Sequence, residues 1–248
     1  MHSNHKRTSS LLVAVLGMLS AGLLGCPNAA PAPCIIQRPP LQGYTIKFIL
    51  NGSAPAGCEN TLPAIFGDNW RFDGFADNNI WVKSDSMFYP DEGGPNSPVL
   101  GHGVLSAVPD ADLICTIPDM TPMHSPDAPW IGPPTVDLTY HAKNLRFLDG
   151  ARYQGSTFEG EVEVTIDGCT GTYGVQGLTP SPIGSVGPCD TDAVCDPFGD
   201  PANGVFPSGL NPDYAIACTM EDWVTEFLTG DPTVGICFFT EPFPGLKQ

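Results

Sequence analysis

Positive charge is scarce in this chain. Ten Lys and Arg stand against 27 Asp and Glu, a formal net charge of −17. Such a surface repels nucleic acid, whose proteins grip phosphates with Lys and Arg, and it repels anionic lipid headgroups. Cations and basic partners are its electrostatic companions, and plain solubility is the simpler use of the charge. Long apolar runs are missing too. The one that starts at Leu11 ends before Cys26, short of the roughly 20 residues a permanent membrane helix needs. Catalytic signatures are also absent. The nearest string to a serine-hydrolase elbow, Gly184-Ser185-Val186-Gly187, lacks the spacing. His102, His124 and His141 form no HExxH pair, and no Gly-rich loop opens a helix for phosphate. No cofactor is expected. Only four Trp are present, few for a sugar-binding cleft.

What is present begins at the N-terminus. Lys6 and Arg7 precede the apolar stretch, which closes at Leu23-Leu24-Gly25-Cys26. A basic start, a short apolar core and small residues at the end are the parts of a secretory signal. The last four residues resemble the lipobox of bacterial lipoproteins. That resemblance implies cleavage before Cys26 and lipid attachment to its thiol. It implies a chain held on the cell envelope by lipid, with Pro27 rather than Asp next to the Cys pointing to the outer membrane. Residues 1–25 would be the signal peptide, the Pro/Ala-rich residues 26–42 a tether, and residues 43–248 a single domain. The mature chain would carry 8 basic against 27 acidic residues, a formal −19.

Charged residues are 15% and hydrophobic residues 42% of the chain, enough apolar material for a core. Beside Cys26 stand Cys34, Cys58, Cys115, Cys169, Cys189, Cys195, Cys218 and Cys237. Eight Cys in an exported chain read as a disulfide framework with 105 possible pairings. Local loops Cys189–Cys195 and Cys218–Cys237 are expected. Cys58, Cys115 and Cys169 are then left to the sheet or to Cys34. Cys189 and Cys195 have no nearby His to complete a zinc site.

Gly and Pro together exceed a fifth of the residues, so turns are many. Between them lie β-branched and aromatic runs: Tyr44 to Leu50, Ile80 to Tyr89, Val99 to Val108 and Leu113 to Ile117. The longest are Thr135 to Leu148 and Thr157 to Asp167, read as a hairpin about Asp149-Gly150, with Thr170 to Gly177 pairing next. Pro118 to Pro134 reads as loop. The pattern predicts a mostly β protein, an antiparallel β-sandwich or jelly-roll-like domain with long Pro/Gly loops. One short C-terminal helix is expected, because Met220, Trp223, Val224, Phe227 and Leu228 share a helical face that ends at Gly230.

Two acidic groups merit a chemical reading. Glu159, Glu161 and Glu163 alternate with Phe158, Val162 and Val164, so they line one face of a strand about 6.6 Å apart. That is near glycosidase carboxylate spacing, and the run is similar to the Glu-x-Asp-x-Glu strand of β-sandwich glucanases. An exported polysaccharide-acting glycosidase is the alternative function on that ground; a solvated face is the plainer reading. Asp190, Asp192, Asp196 and Asp200 are candidate calcium ligands, but their order is not that of an EF-hand, and turn-forming Asp explains them equally.

Downstream of Cys169-Thr170-Gly171-Thr172-Tyr173 come Asp200-Pro201-Ala202-Asn203-Gly204, then Ser208-Gly209-Leu210-Asn211-Pro212-Asp213-Tyr214, then Cys218 and Cys237. This order resembles the uncharacterised Cys-rich surface lipoproteins of myxobacteria. The resemblance implies an envelope location and transfers no catalytic residue. The expected function is therefore a lipid-anchored envelope lipoprotein. Its domain is read as non-enzymatic, binding or structuring an extracellular ligand or envelope partner, with the membrane reached through the N-terminal lipid.

Overall fold

The computed structural model describes residues 33–36, 43–74, 76–87, 100–129, 135–150, 152, 155–180, 188–204 and 207–246. The signal peptide, Cys26, most of the tether, the loop Pro90 to Pro98 and Trp130 lie outside the described residues. Among the described residues, nine strands form one antiparallel sheet. They are β1 (Tyr44–Leu50), β2 (Ile65–Gly74), β3 (Asn79–Ser84), β4 (Leu100–Val104), β5 (Ile114–Asp119), β6 (Met123–Ala128), β7 (Val136–Leu148), β8 (Thr157–Ile166) and β9 (Cys169–Leu178). The order is β4-β3-β2-β1-β9-β8-β7-β5, with β6 sharing the β7 edge.

The thirteen-residue β7 is long enough to hold both β5 and β6. Phe147 pairs with Cys115, and Tyr140 pairs with Met123. Between those two strands Met120 bridges Gly103 of β4, and Thr121 N donates to His102 O at 2.8 Å. The sheet is thus nearly closed. Small residues permit the approach: a Cβ on Gly103 would sit 2.6 Å from Ile117. The expectation of a mostly antiparallel β protein holds. This single hydrogen-bonded array does not establish the two-sheet division of a sandwich or jelly roll.

Period two explains the interior. Tyr44, Ile46 and Phe48 of β1 point inward, as do Phe66, Asp68, Trp70 and Phe72 of β2 and Phe158, Val162, Val164 and Ile166 of β8. Phe48 stacks on Phe66 at 4.3 Å and on Tyr140 at 5.6 Å. Tyr44 meets Phe72 and Phe158 edge-on at 5.2 and 5.3 Å. Phe158 lies over Gly177, where a Cβ would come within 2.2 Å of the ring. Such pairs add to the burial of large apolar surfaces.

The strand ends define two poles. At one lie the end of β4, the start of β5, the end of β7 and the start of β8. Cys34 and Ile36 are buried there, although they belong to the expected tether. Cys34 is bonded to Cys115, and its N–H donates to Ala107 O. At the far pole β8 turns into β9 through Asp167-Gly168, both at positive φ, and Cys58 is bonded to Cys169.

The remaining residues form a C-terminal module on the outer face of the sheet. It contains β10 (Ile216–Thr219), β11 (Ile236–Phe239), a 3₁₀ turn at Asp192–Cys195 and one helical turn, α1 (Asp222–Val224), continued by a π-type turn at Thr225–Thr229. Trp223 fills the space above Gly67, where a Cβ would lie 2.8 Å from the indole. Lys47 of β1 pairs with Glu221 at 2.7 Å and sits 5.2 Å over the Trp223 ring. Burial would raise the Glu221 carboxyl, but Lys47 and Trp223 outweigh it and hold it below the usual carboxylate range.

Several local expectations change. The Pro-rich stretch after Pro118 contains β6, because Pro126 falls where the pairing with β7 slips between Ser125 and Ala128. Proline is tolerated at such an irregularity on a sheet edge. The C-terminal helix is shorter than its apolar stripe, and Met220 is exposed rather than docked. The expected pairs Cys189–Cys195 and Cys218–Cys237 do not form. Cys189 bonds Cys218 and Cys195 bonds Cys237. The reason is that Cys189 bridges Gly235 beside β11, and the 3₁₀ turn carries Cys195 across the ribbon, so each strand receives its own sulfur.

Candidate functional site

The acidic strand does not form a cleft. Glu159, Glu161 and Glu163 lie on the outer face of β8, opposite Arg146, Lys143 and His141 of β7. Arg146 is hydrogen-bonded to Glu159, and Lys143 lies 3.6 Å from Glu163. Arg146 also stacks over Phe243 at 5.8 Å. The described Trp residues are occupied elsewhere: Trp70 in the core, Trp81 against His102, and Trp223 over Gly67. Glu159 and Glu163 thus face basic side chains of β7 on an open sheet face.

Three of the four loop aspartates are engaged by the protein's own donors, two of them within local turns. Asp192 Oδ1 accepts from Cys218 N at 2.8 Å, Asp196 Oδ1 from Phe198 N at 2.8 Å, and Asp200 Oδ2 from Asn203 Nδ2 at 2.6 Å. Among the described residues, two groups bring three potential metal-binding atoms together. They are Cys189 with Cys195 and Cys237, and Cys34 with Cys115 and Asp149. Their sulfurs belong to disulfides, which are not thiolate ligands. The histidines are dispersed: His102 meets Asn79, His124 meets Asp137 and His141 meets Asp119.

The structure instead brings together a groove that pattern reading did not assemble. Arg152, Ser156 and Thr179 come from the tether pole of the sheet, and Leu210, Asn211 and Asp213 come from the module. They enclose a cleft of about 350 Å³. The segment Ser208 to Tyr214 is shaped by its own hydrogen bonds. Gly209 has a φ of 74°, Ser208 Oγ donates to Cys195 O, and Asn211 Oδ1 accepts from Asp213 N at 2.9 Å. It is fixed to the sheet by Asn211 Nδ2, which donates to Arg152 O at 2.9 Å, and by a buried 2.6 Å bond between Ser156 and Tyr214. Arg152 Nη2 donates to Asp213 Oδ1 at 2.7 Å. Asp213 Oδ2 is buried without a hydrogen-bond partner. A second cleft of about 190 Å³ shares Leu210 and Asn211 and is lined by Asp192, Asp196 and Tyr214.

The groove offers Arg152, whose side chain is 71% exposed, to an acceptor. Ser156 is bonded to a tyrosine rather than to a base, so it is not an activated nucleophile. The Ser208 to Tyr214 run was visible in the sequence as a motif. Its sheet-side partners were not, because they arrive through tertiary packing.

One further carboxylate was missed entirely. Asp68 points into the sheet interior and is 2% exposed. It accepts from Ser84 Oγ at 2.6 Å, Trp70 Nε1 at 3.1 Å, Asn69 N at 2.6 Å and Ser86 N at 3.3 Å. Burial pushes its pKa to about 6, with these hydrogen bonds opposing the rise. Tyr140 shares the site, and its hydroxyl is driven well above its ordinary value by burial and by Asp68.

No solved structure matches the chain. A relative from Myxococcus xanthus, named "Putative lipoprotein MlpA", is 32% identical over 111 residues. That alignment takes in 44% of this chain and 40% of the relative, so this chain spans about two fifths of the length of the relative it matches. The family model described as MlpA matches residues 46–180, from β1 to just past β9. The match stops ahead of the module and of the Asp200 and Ser208 segments in which the myxobacterial resemblance was first visible. It covers more than half of the 248 residues, and the chain belongs to the MlpA family.

Proposed function

We propose that this protein is an envelope lipoprotein, exported by residues 1–25, cleaved before Cys26 and anchored through that residue in the outer membrane. Of the expected tether 26–42, the part ahead of Cys34 serves as the free leash, since Cys34 is bonded to Cys115, and residues 43–248 form a non-enzymatic domain that binds a ligand or envelope partner outside the cytoplasm. The observation that carries the binding role is the groove: an open polar cleft of about 350 Å³ that presents an exposed Arg152. Arg152 carries five N–H donors and gives one to Asp213, so donors remain for an acceptor on the ligand. The lipobox and the name of the M. xanthus relative support the envelope location.

The anchor is tested by Cys26→Ser. Radiolabelled palmitate should no longer enter the protein, and the protein should move to the soluble fraction. Retention of the label would refute Cys26 as the attachment site. The groove is tested by ligand-observed NMR with a panel of small zwitterions and sugars. Binders are expected to the wild type and not to Arg152→Ala/Asp213→Ala. Binders unaffected by that double substitution would place recognition elsewhere.

A further inference from the structure

The point where the tether joins the folded domain is fixed on both sides. The Cys34–Cys115 disulfide ties it to β5, and the Cys34 N–H is bonded to Ala107 O at 3.1 Å. The next residue, Ile35, donates its N–H to the buried Asp149 carboxylate. Its carbonyl passes so close to Gly155 that a Cβ there would lie 2.1 Å away. The chain therefore leaves the domain at one defined place on one pole.

The same pole carries an unusual share of exposed apolar side chains. Ile35 is 48% exposed, Val108 44% and Leu113 44%. They are neighbours through the hydrogen bonds just described. Val108 follows Ala107, whose carbonyl receives Cys34. Leu113 O receives the N–H of Asp149, whose carboxylate receives Ile35. Val104, at the end of β4 on this pole, is 51% exposed.

We infer that this pole faces the bilayer, with Ile35, Val108 and Leu113 resting on the lipid surface. The inference rests on the proposed lipid at Cys26. From Cys26 to Cys34 is eight residues, a leash of at most about 28 Å even when fully extended. The ten-residue strands β8 and β9 that separate the poles are each about 34 Å long before tilt. With the roughly 40° tilt of a nearly closed sheet that height is still about 26 Å, so an inverted domain would need the leash stretched almost to its limit. With the tether pole down, a short leash keeps the patch at high effective concentration near the lipid, so a few side chains suffice for contact. The occupant is zwitterionic lipid. Asp110 and Asp112 lie in the loop between Val108 and Leu113, and the whole chain is acidic, so anionic headgroups repel this surface.

The test uses the full-length lipidated protein in phosphatidylcholine vesicles. A photo-crosslinking amino acid replaces Val108 or Leu113, or the exposed Asn60 in the far-pole loop as comparison. Lipid adducts should be several-fold more abundant at 108 and 113 than at 60. They should fall when phosphatidylglycerol replaces part of the phosphatidylcholine. Cys34→Ala/Cys115→Ala should narrow the difference between sites, because the exit point is then no longer pinned. Palmitate on Cys26 is measured in the same samples. Lipidated, vesicle-bound protein that crosslinks equally at 108 and 60 would overturn the orientation alone. Lack of lipid on Cys26 would overturn the anchor and the orientation with it.

Discussion

Replacing Asp68 by asparagine should destabilise the protein most at acidic pH, and the cost should shrink by about 2.5 kcal/mol between pH 4 and pH 7. The folded pKa of about 6 lies above the ordinary 3.8. Below pH 3.8 the group is protonated in the folded and the unfolded chain and does not distinguish them. Between 3.8 and about 6 the unfolded chain has given up the proton and the folded chain still holds it. Stability therefore falls as pH rises through this window, and the loss is complete above it. Two pKa units correspond to about 3 kcal/mol. The group is fully buried, so solvent screening does not reduce this figure appreciably.

The asparagine variant removes the titration and keeps the shape. Its amide nitrogen must face donors, since Ser84, Trp70, Asn69 and Ser86 all give hydrogen bonds to the native carboxylate. That mismatch costs about 1–3 kcal/mol at every pH. Near neutral pH the charge penalty of the native residue offsets it, and the two proteins should be close in stability. Urea unfolding of both at pH 4, 5, 6 and 7 gives the difference curve directly. A mutational cost that stays flat or grows with pH would show that Asp68 is not held at a raised pKa. Subtracting the two proteins also cancels the opposite pH dependence of groups such as Glu221, whose pKa is lowered.

Asp68 also shows why sequence reading stopped where it did. β8 was legible because Phe158, Val162, Val164 and Ile166 alternate with wet residues without interruption. β2 follows the same period, but a carboxylate occupies one of its inward places, and polarity alone assigns Asp68 to the surface. Only its partners on β3 and the following turn make it an interior residue. The Pro126 strand was hidden for a related reason: proline forbids a central strand, and pairing to one neighbour across a slip in register is a tertiary fact. The groove divides in the same way. Gly209, Asn211 and Asp213 announce a built turn by themselves, whereas Arg152 and Ser156 are ordinary loop residues until the module docks. Eight cysteines announced bridges, yet Cys34 sits in a Pro-rich stretch that reads as tether, and only the pole of the sheet gives it a partner.

The four bridges divide the chain where the family match does, and this sets the second large effect. Cys34–Cys115 and Cys58–Cys169 close overlapping loops within the main sheet. Cys189–Cys218 and Cys195–Cys237 overlap within the module. None of the four joins the sheet to the module. The Cys58–Cys169 bridge spans 111 residues and holds the Asn51 to Ala64 loop against the far pole, where Leu62 is buried and Tyr173 donates to Pro63 O at 2.9 Å. Cys58→Ala/Cys169→Ala should lower stability by about 4 kcal/mol, since a loop of this size costs the unfolded chain much of its entropy. For a domain of this length the melting temperature should drop by roughly 8–16 °C. Adding Cys34→Ala/Cys115→Ala should cost more than the sum of the two separate effects, because overlapping loops restrict the same unfolded segment and each bridge cushions the loss of the other. Removal of the module pair Cys195 and Cys237 should act independently of both, as it constrains none of the sheet's chain. Calorimetry of the three double variants and their combinations would decide this. A shift of only a degree or two for Cys58→Ala/Cys169→Ala would mean that packing at the far pole, not the covalent link, holds the loop in place.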